Sequence, residues 1–285
     1  MADVRTPWYQ SYPKDVPYTI DKPPYQNLGQ MFDDVCNKYG KRKAFISFNS
    51  AVTFLDVKKA TDNLAAYLQH CVQVKKGEKL AVILPNVIQY PVSVFAGLKC
   101  GMQIVNINPL YTTHEILGVL RDSKAKVVIC LESINNGLQK ILDQTYLEHV
   151  ISCGVGDMLP VLKGSVINFA FRHLTRQVKP YDKKLFTPFK SCLYYGKHYR
   201  LQPVECAFDD IAFLQYTGGT TGKPKGAMLS HGNILSNVFQ CHAMYGPRVK
   251  LGCESILTAL PLYHIFAMTI NLMYAMYIGA TNLLI

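Results

Sequence analysis

The sequence has few charged residues, a single tryptophan and no pair of cysteines at CxxC spacing. Only 17% of its 285 residues are charged and 49% are hydrophobic, which excludes a disordered chain and indicates one or two globular domains. Its nine cysteines are odd in number and several lie in apolar runs, which predicts reduced, buried thiols in a cytoplasmic protein. The amino terminus also lacks the apolar segment of a signal peptide.

Charge is absent altogether from residues 255–285. An apolar run of that length is typical of a transmembrane helix. Pro261 and Gly279 interrupt it, however, which favours a buried globular segment instead. The predicted order is a strand at 256–260, a loop at 261–265, a helix at 266–278 and a strand at 281–285. A domain seldom ends on a bare apolar strand, so the chain is expected to be part of a longer protein.

Acidic residues are scarce in one stretch, 163–200, which carries nine Lys and Arg but a single Asp. The stretch therefore holds +8 of the net charge of +11. Helical spacing predicts a helix that ends at Pro180, with an apolar side (Val166, Ile167, Ala170, Phe171, Leu174, Val178) and a basic side (Arg172, Arg176, Lys179). Two interpretations stay open: a solvated insertion, or a surface that contacts anionic lipid or an acidic ligand at the membrane's inner face.

The rest of the first 200 residues alternates short apolar runs with amphipathic segments. Continuous apolar strands separated by helices indicate an α/β fold with layered parallel sheets. Strands are predicted at 44–48, 51–54, 79–85, 103–108, 126–130 and 149–153, the first two as a hairpin. Helices are predicted at 27–39, 56–71, 86–100, 112–123 and 133–143.

These elements suggest a division of the chain into three parts. Residues 1–26, rich in Pro and Tyr, are expected to form an extended arm. Residues 27–200 are predicted to form a first α/β subdomain with the basic insertion at about 163–200. Residues 201–285 are predicted to begin a second, incomplete α/β subdomain.

The most specific motif is TGGTTGKPKG at 217–226, directly after the apolar strand 211–216. Its glycines allow backbone N–H groups to converge on an anion, its threonines add hydroxyls, and Lys225 adds a positive charge. A polyphosphate is the ligand that this composition favours. Pro224 and the following AMLS run exclude a Walker A loop, which continues into a helix, and a GxGxxG dinucleotide motif is also missing.

The motif resembles the T-[SG]-G-[ST]-T-G-x-P-K-G pattern of the adenylate-forming (AMP-binding) superfamily, which includes acyl-CoA synthetases, adenylation domains and luciferases. Segments 52–68, 97–111 and 260–266 are similar to further family motifs in the same order. The variants TGGTTG, QYPV (89–92), NPLYT (108–112) and ALPLYHIFAMTIN (259–271) most resemble bacterial long-chain fatty-acid–CoA ligases. Among the other family members, ligases for aryl or amino acids remain an alternative, as does a non-catalytic remnant that binds phosphate or lipid.

The resemblance implies a two-step reaction with a long-chain fatty acid, ATP, Mg²⁺ and CoA. His264 matches the position beside the substrate carboxylate, and Lys225 would act on the phosphates. Thr217 matches a position that helps to bind Mg²⁺. The implied nucleotide-binding residues are Tyr216, Thr217, Gly218, Gly219, Thr220, Thr221, Gly222, Lys223, Pro224, Lys225, Gly226 and Ala227.

The chain also departs from the family pattern. Met268 stands where some long-chain relatives have a gating tryptophan. Family members are about twice as long, and their acidic Mg²⁺ ligand, YG-x-TE segment, ribose-binding Asp and mobile carboxy-terminal domain would follow residue 285. The resemblance therefore implies an amino-terminal half with little or no ligase turnover alone.

Overall fold

The computed structural model of the chain describes residues 6–217 and 225–285. Within these ranges, no helix combines the length and the apolar character needed to cross a bilayer. The strands are β1 (Lys43–Ser47), β2 (Ser50–Thr53), β3 (Lys79–Ile83), β4 (Gln103–Asn106), β5 (Val127–Leu131), β6 (His149–Cys153), β7 (Thr187–Pro188), β8 (Ile211–Thr217), β9 (Lys225–Ser230), β10 (Ser255–Thr258) and β11 (Thr281–Leu284). The α-helices are α1 (Leu28–Tyr39), α2 (Phe54–Tyr67), α3 (Gln89–Lys99), α4 (Thr113–Ser123), α5 (Asn135–Leu138), α6 (Val161–Phe169), α7 (Phe189–Gly196), α8 (His231–Tyr245), α9 (Ile265–Ala267) and α10 (Ala275–Tyr277).

The larger sheet has seven strands in the order β7-β6-β5-β3-β4-β8-β9. All its pairings are parallel except that of β8 with β9, which form an antiparallel hairpin at one edge. Successive residues of β3 face different cores: Leu80 and Val82 pack in one cluster, Ala81 and Ile83 in the other. Apolar residues on both faces are the reason that β3 is a continuous apolar run, and the predicted parallel α/β architecture is confirmed.

The smaller sheet has four strands in the order β10-β11-β1-β2, with β1 and β2 forming the predicted hairpin. Phe48 and Asn49, both with positive φ, make its two-residue turn. In both sheets, a strand that precedes residue 200 pairs with a strand that follows it: β4 pairs with β8, and β1 pairs with β11. Strand pairing thus does not mark that boundary, and the division into subdomains stays a prediction.

Reciprocal capping fixes where three helices begin. Thr53 with Asp56 and Thr112 with Glu115 form capping boxes at the starts of α2 and α4. Ser230 and Asn233 form a third at the start of α8. Each satisfies two backbone N–H groups that a helix start otherwise leaves without partners. The box at Thr112 was predicted from the sequence and is confirmed.

The predicted helix at 133–143 is wrong as a continuous element. The chain forms a 3₁₀ turn at Glu132–Ile134, the single turn of α5 and a second 3₁₀ turn at Leu142–Gln144. The Asn135 side chain is buried and donates a hydrogen bond to the Ser152 hydroxyl at 2.7 Å. The Gln139 N–H donates to the Asn135 carbonyl, so the helical backbone lasts for this one turn and ends after Leu138.

The predicted helix over 166–178 is also corrected. Helix α6 begins earlier, at Val161, and continues only through a wide turn at Ala170–Leu174. Arg176 has a φ of 51°, a left-handed conformation that ends the helix before Pro180. The predicted apolar side is divided, because Ile167 packs against the core whereas Val166 and Leu174 are exposed.

The uncharged segment 255–285 folds as predicted into strand, loop, helical stretch and strand. Its helical stretch runs from α9 through a wide turn at Met268–Tyr274 to α10. The expectation that all of it is buried is wrong for β10, an edge strand in which Leu257 is 60% exposed. Six of the nine free cysteines are buried as predicted, while Cys71 and Cys253 are exposed and Cys241 is half-buried.

Candidate functional site

The β8–β9 hairpin carries most of the predicted site residues. Thr217 and Lys225 are partners across its open end, and both side chains are exposed. The seven residues between them (Gly218, Gly219, Thr220, Thr221, Gly222, Lys223 and Pro224) lie outside the described residues. The described flanks thus place a threonine hydroxyl and a lysine ammonium at the mouth of a loop. Both groups are chemically suited to a polyphosphate.

Tyr216 anchors the hairpin to the sheet. Its hydroxyl donates a hydrogen bond to the Asp122 carboxylate at 2.5 Å. Burial, followed by the nearby carboxylate, raises the pKa of the Tyr216 hydroxyl above its usual value. Across the hairpin, a Cβ on Gly226 would lie 3.0 Å from the Tyr216 ring, so glycine lets the two strands close over the aromatic side chain. The roles of Tyr216, Gly226 and Ala227 in nucleotide binding stay predictions.

His264 lies on the loop that follows β10, at the start of α9. Its imidazole is exposed and its Nδ1 accepts a hydrogen bond from the backbone N–H of Phe266 at 3.4 Å. Its carbonyl accepts from the backbone N–H of Met268, whose side chain is fully buried. Because Nδ1 acts as the acceptor, the free Nε2 is the atom that can meet a ligand from solvent.

A chain of buried polar side chains ties the His264 loop to the β8–β9 hairpin. Gln215, one residue before Tyr216, donates to the Tyr263 carbonyl at 3.0 Å and accepts from Asn106 at 3.2 Å. The Tyr90 hydroxyl lies 2.7 Å from the Leu262 carbonyl and 3.0 Å from the Asn106 side-chain oxygen. Buried amides and hydroxyls with satisfied partners hold their neighbours in one geometry. These hydrogen bonds therefore hold the loop of His264 against β4 and β8.

Asn86, just after β3, closes the same region from the other side. Its amide donates to the carbonyls of Thr258, Leu260 and Ile285 at 3.0–3.2 Å, and its side-chain oxygen accepts from the Leu262 N–H at 2.8 Å. One side chain thus joins the ends of β10 and β11 to the loop. The two sheets meet at this residue.

The predicted site residues do not include Tyr90, Asn106, Gln215 or Asn86, which all belong to this arrangement. Three of them carried a signal in the sequence, since each is an amide placed in or beside an apolar strand. An amide in a buried strand requires hydrogen-bond partners, which predicts a contact without telling where it is. The partners are 48 to 199 residues apart in sequence for the bonds that reach the His264 loop and β11.

The described residues contain no group of three or more His, Cys, Asp or Glu side chains arranged to hold a metal ion. Thr217 offers one neutral oxygen at the mouth of the hairpin, a ligand type that Mg²⁺ accepts. A single such oxygen fits a cation held mainly by phosphate oxygens and water. Its role as a Mg²⁺ ligand stays a prediction.

Comparison with known proteins agrees with this architecture. A family model described as AMP-binding enzyme matches residues 32–285. The long-chain-fatty-acid–CoA ligase of Escherichia coli O6:H1 is 43% identical over 280 residues, which cover 98% of this chain and 50% of that protein. The corresponding Bacillus subtilis ligase is 34% identical over 285 residues and is also about half covered.

Among solved structures, a long-chain-fatty-acid–CoA ligase from Archaeoglobus fulgidus superposes with a TM-score of 0.75. It is 23% identical and the match covers 95% of this chain and 49% of that one, so the likeness supports the fold. The chain thus spans about half the length of the curated relatives that it matches.

Proposed function

Since the chain belongs to the AMP-binding enzyme family, we propose that it serves a long-chain fatty-acid–CoA ligase reaction. In the first step a fatty-acid carboxylate attacks the α-phosphate of ATP, which forms an acyl-adenylate and releases pyrophosphate. In the second step the thiol of CoA attacks the acyl carbon and releases AMP. The observation that carries the proposal is the exposed Thr217–Lys225 pair at the mouth of the β8–β9 hairpin, joined through Gln215 to the loop of His264.

Electrostatic positioning is the main contribution that these residues can make to the first step. The negative charge of the transition state lies on phosphate oxygens, and a preorganised cation stabilises it without reorganising during the reaction. Lys225 supplies such a charge from β9, a strand held in register with β8. Mg²⁺, where bound, neutralises phosphate charge, and we assign the Thr217 hydroxyl as one of its ligands.

His264 is assigned to the carboxylate of the fatty acid. Its Nδ1 accepts the Phe266 N–H, which leaves Nε2–H to donate to an acid oxygen from the exposed side of the ring. The bonds from Gln215 and Tyr90 to the preceding loop carbonyls restrict the loop, so the imidazole and the hairpin keep a constant separation. Positioning of two reactants in this manner lowers the entropic part of the barrier.

We also propose a peripheral contact between 163–200 and the inner face of the membrane, because the substrate partitions into lipid and the stretch is strongly basic. Each cation near an anionic surface adds about 1 kcal/mol of attraction. Binding to anionic vesicles should therefore weaken with added salt and with Arg176→Glu, whose side chain is exposed. Equal binding to neutral and anionic vesicles would contradict the contact.

The reaction is tested by supplying the part of the Escherichia coli relative that this chain does not match, either fused or mixed. ATP–pyrophosphate exchange is then measured with palmitate, an aryl acid and an amino acid as separate substrates. We expect exchange with palmitate that Lys225→Ala reduces, whereas Lys59→Gln, at an exposed lysine of α2, leaves it unchanged. Exchange with only the aryl acid or the amino acid would identify another adenylate-forming activity, and none with any acid would favour a non-catalytic role.

A further inference from the structure

A second cleft lies at the edge of the seven-stranded sheet farthest from the β8–β9 hairpin. It has a volume of about 510 Å³, which is within the range of small-molecule sites. Its walls come from the ends of β5 and β6, from α6, and from the segment around β7. Four of its lining residues carry basic groups: Arg172, His173, Lys183 and Lys190.

The carboxylates in this cleft are already engaged by the protein. Glu132 accepts hydrogen bonds from Arg172 Nε and from the Tyr181 hydroxyl, each at 2.7 Å. Asp157 accepts from the Gly154 N–H at 2.8 Å and from the Asn168 amide at 2.9 Å. These contacts hold both acids against the wall, and each carboxylate keeps acceptor sites free and its negative charge.

Two lysines of the cleft are available to a ligand. Lys183 is exposed and has no ion-pair partner within 6–217 and 225–285. The Lys190 ammonium forms a long ion pair with Asp157 at 3.7 Å, and its side chain is about half exposed. Ser165 adds a hydroxyl to the same wall. An anion that enters the cleft would therefore meet the uncompensated charge of Lys183 and a weakly paired Lys190.

Helix α6, which forms one wall, turns an apolar face towards solvent. Leu162 is 84% exposed, and Val166 and Phe169, on the same side one and two turns later, are also more than half exposed. The opposite side is held inward, since a Cβ on Gly164 would lie 2.2 Å from the Gly156 carbonyl oxygen. Close backbone approach thus fixes which face of the helix is outside.

Phe169 belongs both to this apolar face and to the lining of the cleft. Its ring also packs 4.7 Å from that of His173, which faces the cleft. The apolar face and the basic cleft are therefore adjacent and share a border. An exposed apolar helix next to cations is the arrangement by which proteins lie in a membrane interface.

We propose that this cleft binds the phosphate headgroup of an anionic phospholipid while the lipid's acyl chains lie along Leu162, Val166 and Phe169. Charge complementarity favours this occupant, because Arg172, Lys183 and Lys190 outnumber Glu132 and Asp157 in the lining, and the surrounding stretch 163–200 carries nine cations and one acid. A soluble anion would use the lysines but leave the apolar face without a partner. The inference rests on the proposed membrane contact and is independent of acyl-adenylate chemistry.

The decisive experiment compares two pairs of substitutions that remove the same charge. Lys183→Gln/Lys190→Gln alters the cleft, and Lys184→Gln/Lys197→Gln alters the same basic segment outside it. Binding of the 285-residue chain to vesicles of phosphatidylcholine alone, or mixed one-to-one with phosphatidylglycerol, is measured by co-sedimentation. The cleft pair should lose roughly tenfold more affinity for the mixed vesicles than the control pair, as expected for a direct charge-assisted contact.

Equal losses in the two pairs would overturn the headgroup site and leave general electrostatic attraction, and with it the membrane contact, intact. No binding of the unaltered chain to mixed vesicles would overturn both. Thermal unfolding of each variant checks the fold, and Lys183→Gln alone repeats the test at an exposed residue with no ion pair to lose.

Two further measurements identify the source of the phosphate and the role of the apolar face. Inorganic phosphate bound as tightly as the vesicles would indicate a soluble anion and overturn the lipid assignment. Leu162→Ser should weaken vesicle binding several-fold, whereas Leu110→Ser, at an equally exposed leucine of 85%, should leave it unchanged. Equal effects of the two substitutions would also contradict the proposal.

Discussion

The two edges of the seven-stranded sheet differ in what they expose and in how they are held. The β8–β9 edge presents Thr217 and Lys225 and is tied inward through Tyr216 and Gln215. The opposite edge presents an apolar helix, α6, beside a basic cleft. Six strand spacings separate the edge strands, or about 29 Å at the usual spacing.

The contrast indicates two different kinds of ligand contact on one scaffold. A rigid polar hairpin is suited to a soluble polyanion that must be held in one orientation. An exposed apolar face with surrounding cations is suited to a fluid surface such as a lipid bilayer, which binds a protein without a fixed set of contacts.

The largest expected difference between the two edges is in stability. Phe213 in β8 is fully buried, and Phe213→Ala should lower the free energy of unfolding by about 3–5 kcal/mol through lost burial and a cavity. Phe169→Ala at the α6 edge should change it by no more than about 0.5 kcal/mol, because that ring is 58% exposed. Urea denaturation of the two variants measures the difference. Similar losses of unfolding free energy in the two variants would mean that the exposed face of α6 contributes to stability as much as the buried Phe213 does.

The next effect concerns the chemistry assigned to the hairpin. In the protein supplemented with the unmatched part of the Escherichia coli relative, Lys225→Ala should slow palmitate-dependent ATP–pyrophosphate exchange by about 10- to 100-fold, the value of one charge-assisted contact. Phe169→Ala should leave the exchange with detergent-dispersed palmitate unchanged. An unaltered rate for Lys225→Ala would remove this lysine from the mechanism.

A pH effect should be localised at the hairpin edge. Burial lowers the pKa of His231, at the start of α8, from its usual 6.5 to about 4. Its Nδ1 accepts the Leu28 N–H at 3.3 Å, a bond that protonation removes. The unfolded chain therefore binds more protons between these two pH values, and stability falls as pH decreases from 6.5 towards 4.

At pH 5 the loss attributable to His231 should be about 2 kcal/mol relative to pH 7. His231→Gln should be less stable at pH 7 but should lose less on acidification, which urea midpoints at both pH values would reveal. Parallel pH dependence of the two proteins would show that His231 is not the titrating group.

The smallest effect is expected from the buried polar chain. Tyr90→Phe removes one hydroxyl bonded to the Leu262 carbonyl and should lower stability by about 1 kcal/mol. Tyr194→Phe, at an exposed ring next to the other edge, is the matched control and should have no measurable effect. Hydrogen exchange of the amides at 262–268 should accelerate in Tyr90→Phe alone. Unchanged hydrogen exchange in Tyr90→Phe would contradict the role of these buried polar side chains in positioning the loop.

Much of the architecture was predictable because its signals are local. The apolar runs of β3, β5 and β8 and the capping box at Thr112 depend on neighbouring residues only. The TGGTTGKPKG motif could be recognised for the same reason, since its glycines and lysines lie within ten consecutive residues. The predictions failed where packing decides, as at α6, where the close approach of Gly164 to Gly156 leaves Val166 facing outward.

The sequence by itself determined the fold class, the position of the TGGTTGKPKG motif after a strand and the concentration of positive charge in 163–200, because composition and periodicity are properties of the chain alone. Only the tertiary structure decided that Gln215 meets the His264 loop and that the apolar face of α6 points outward. Both depend on pairing between residues far apart in sequence. Local patterns state that an amide needs a partner or that a helix has an apolar side, and packing alone determines where each one is placed.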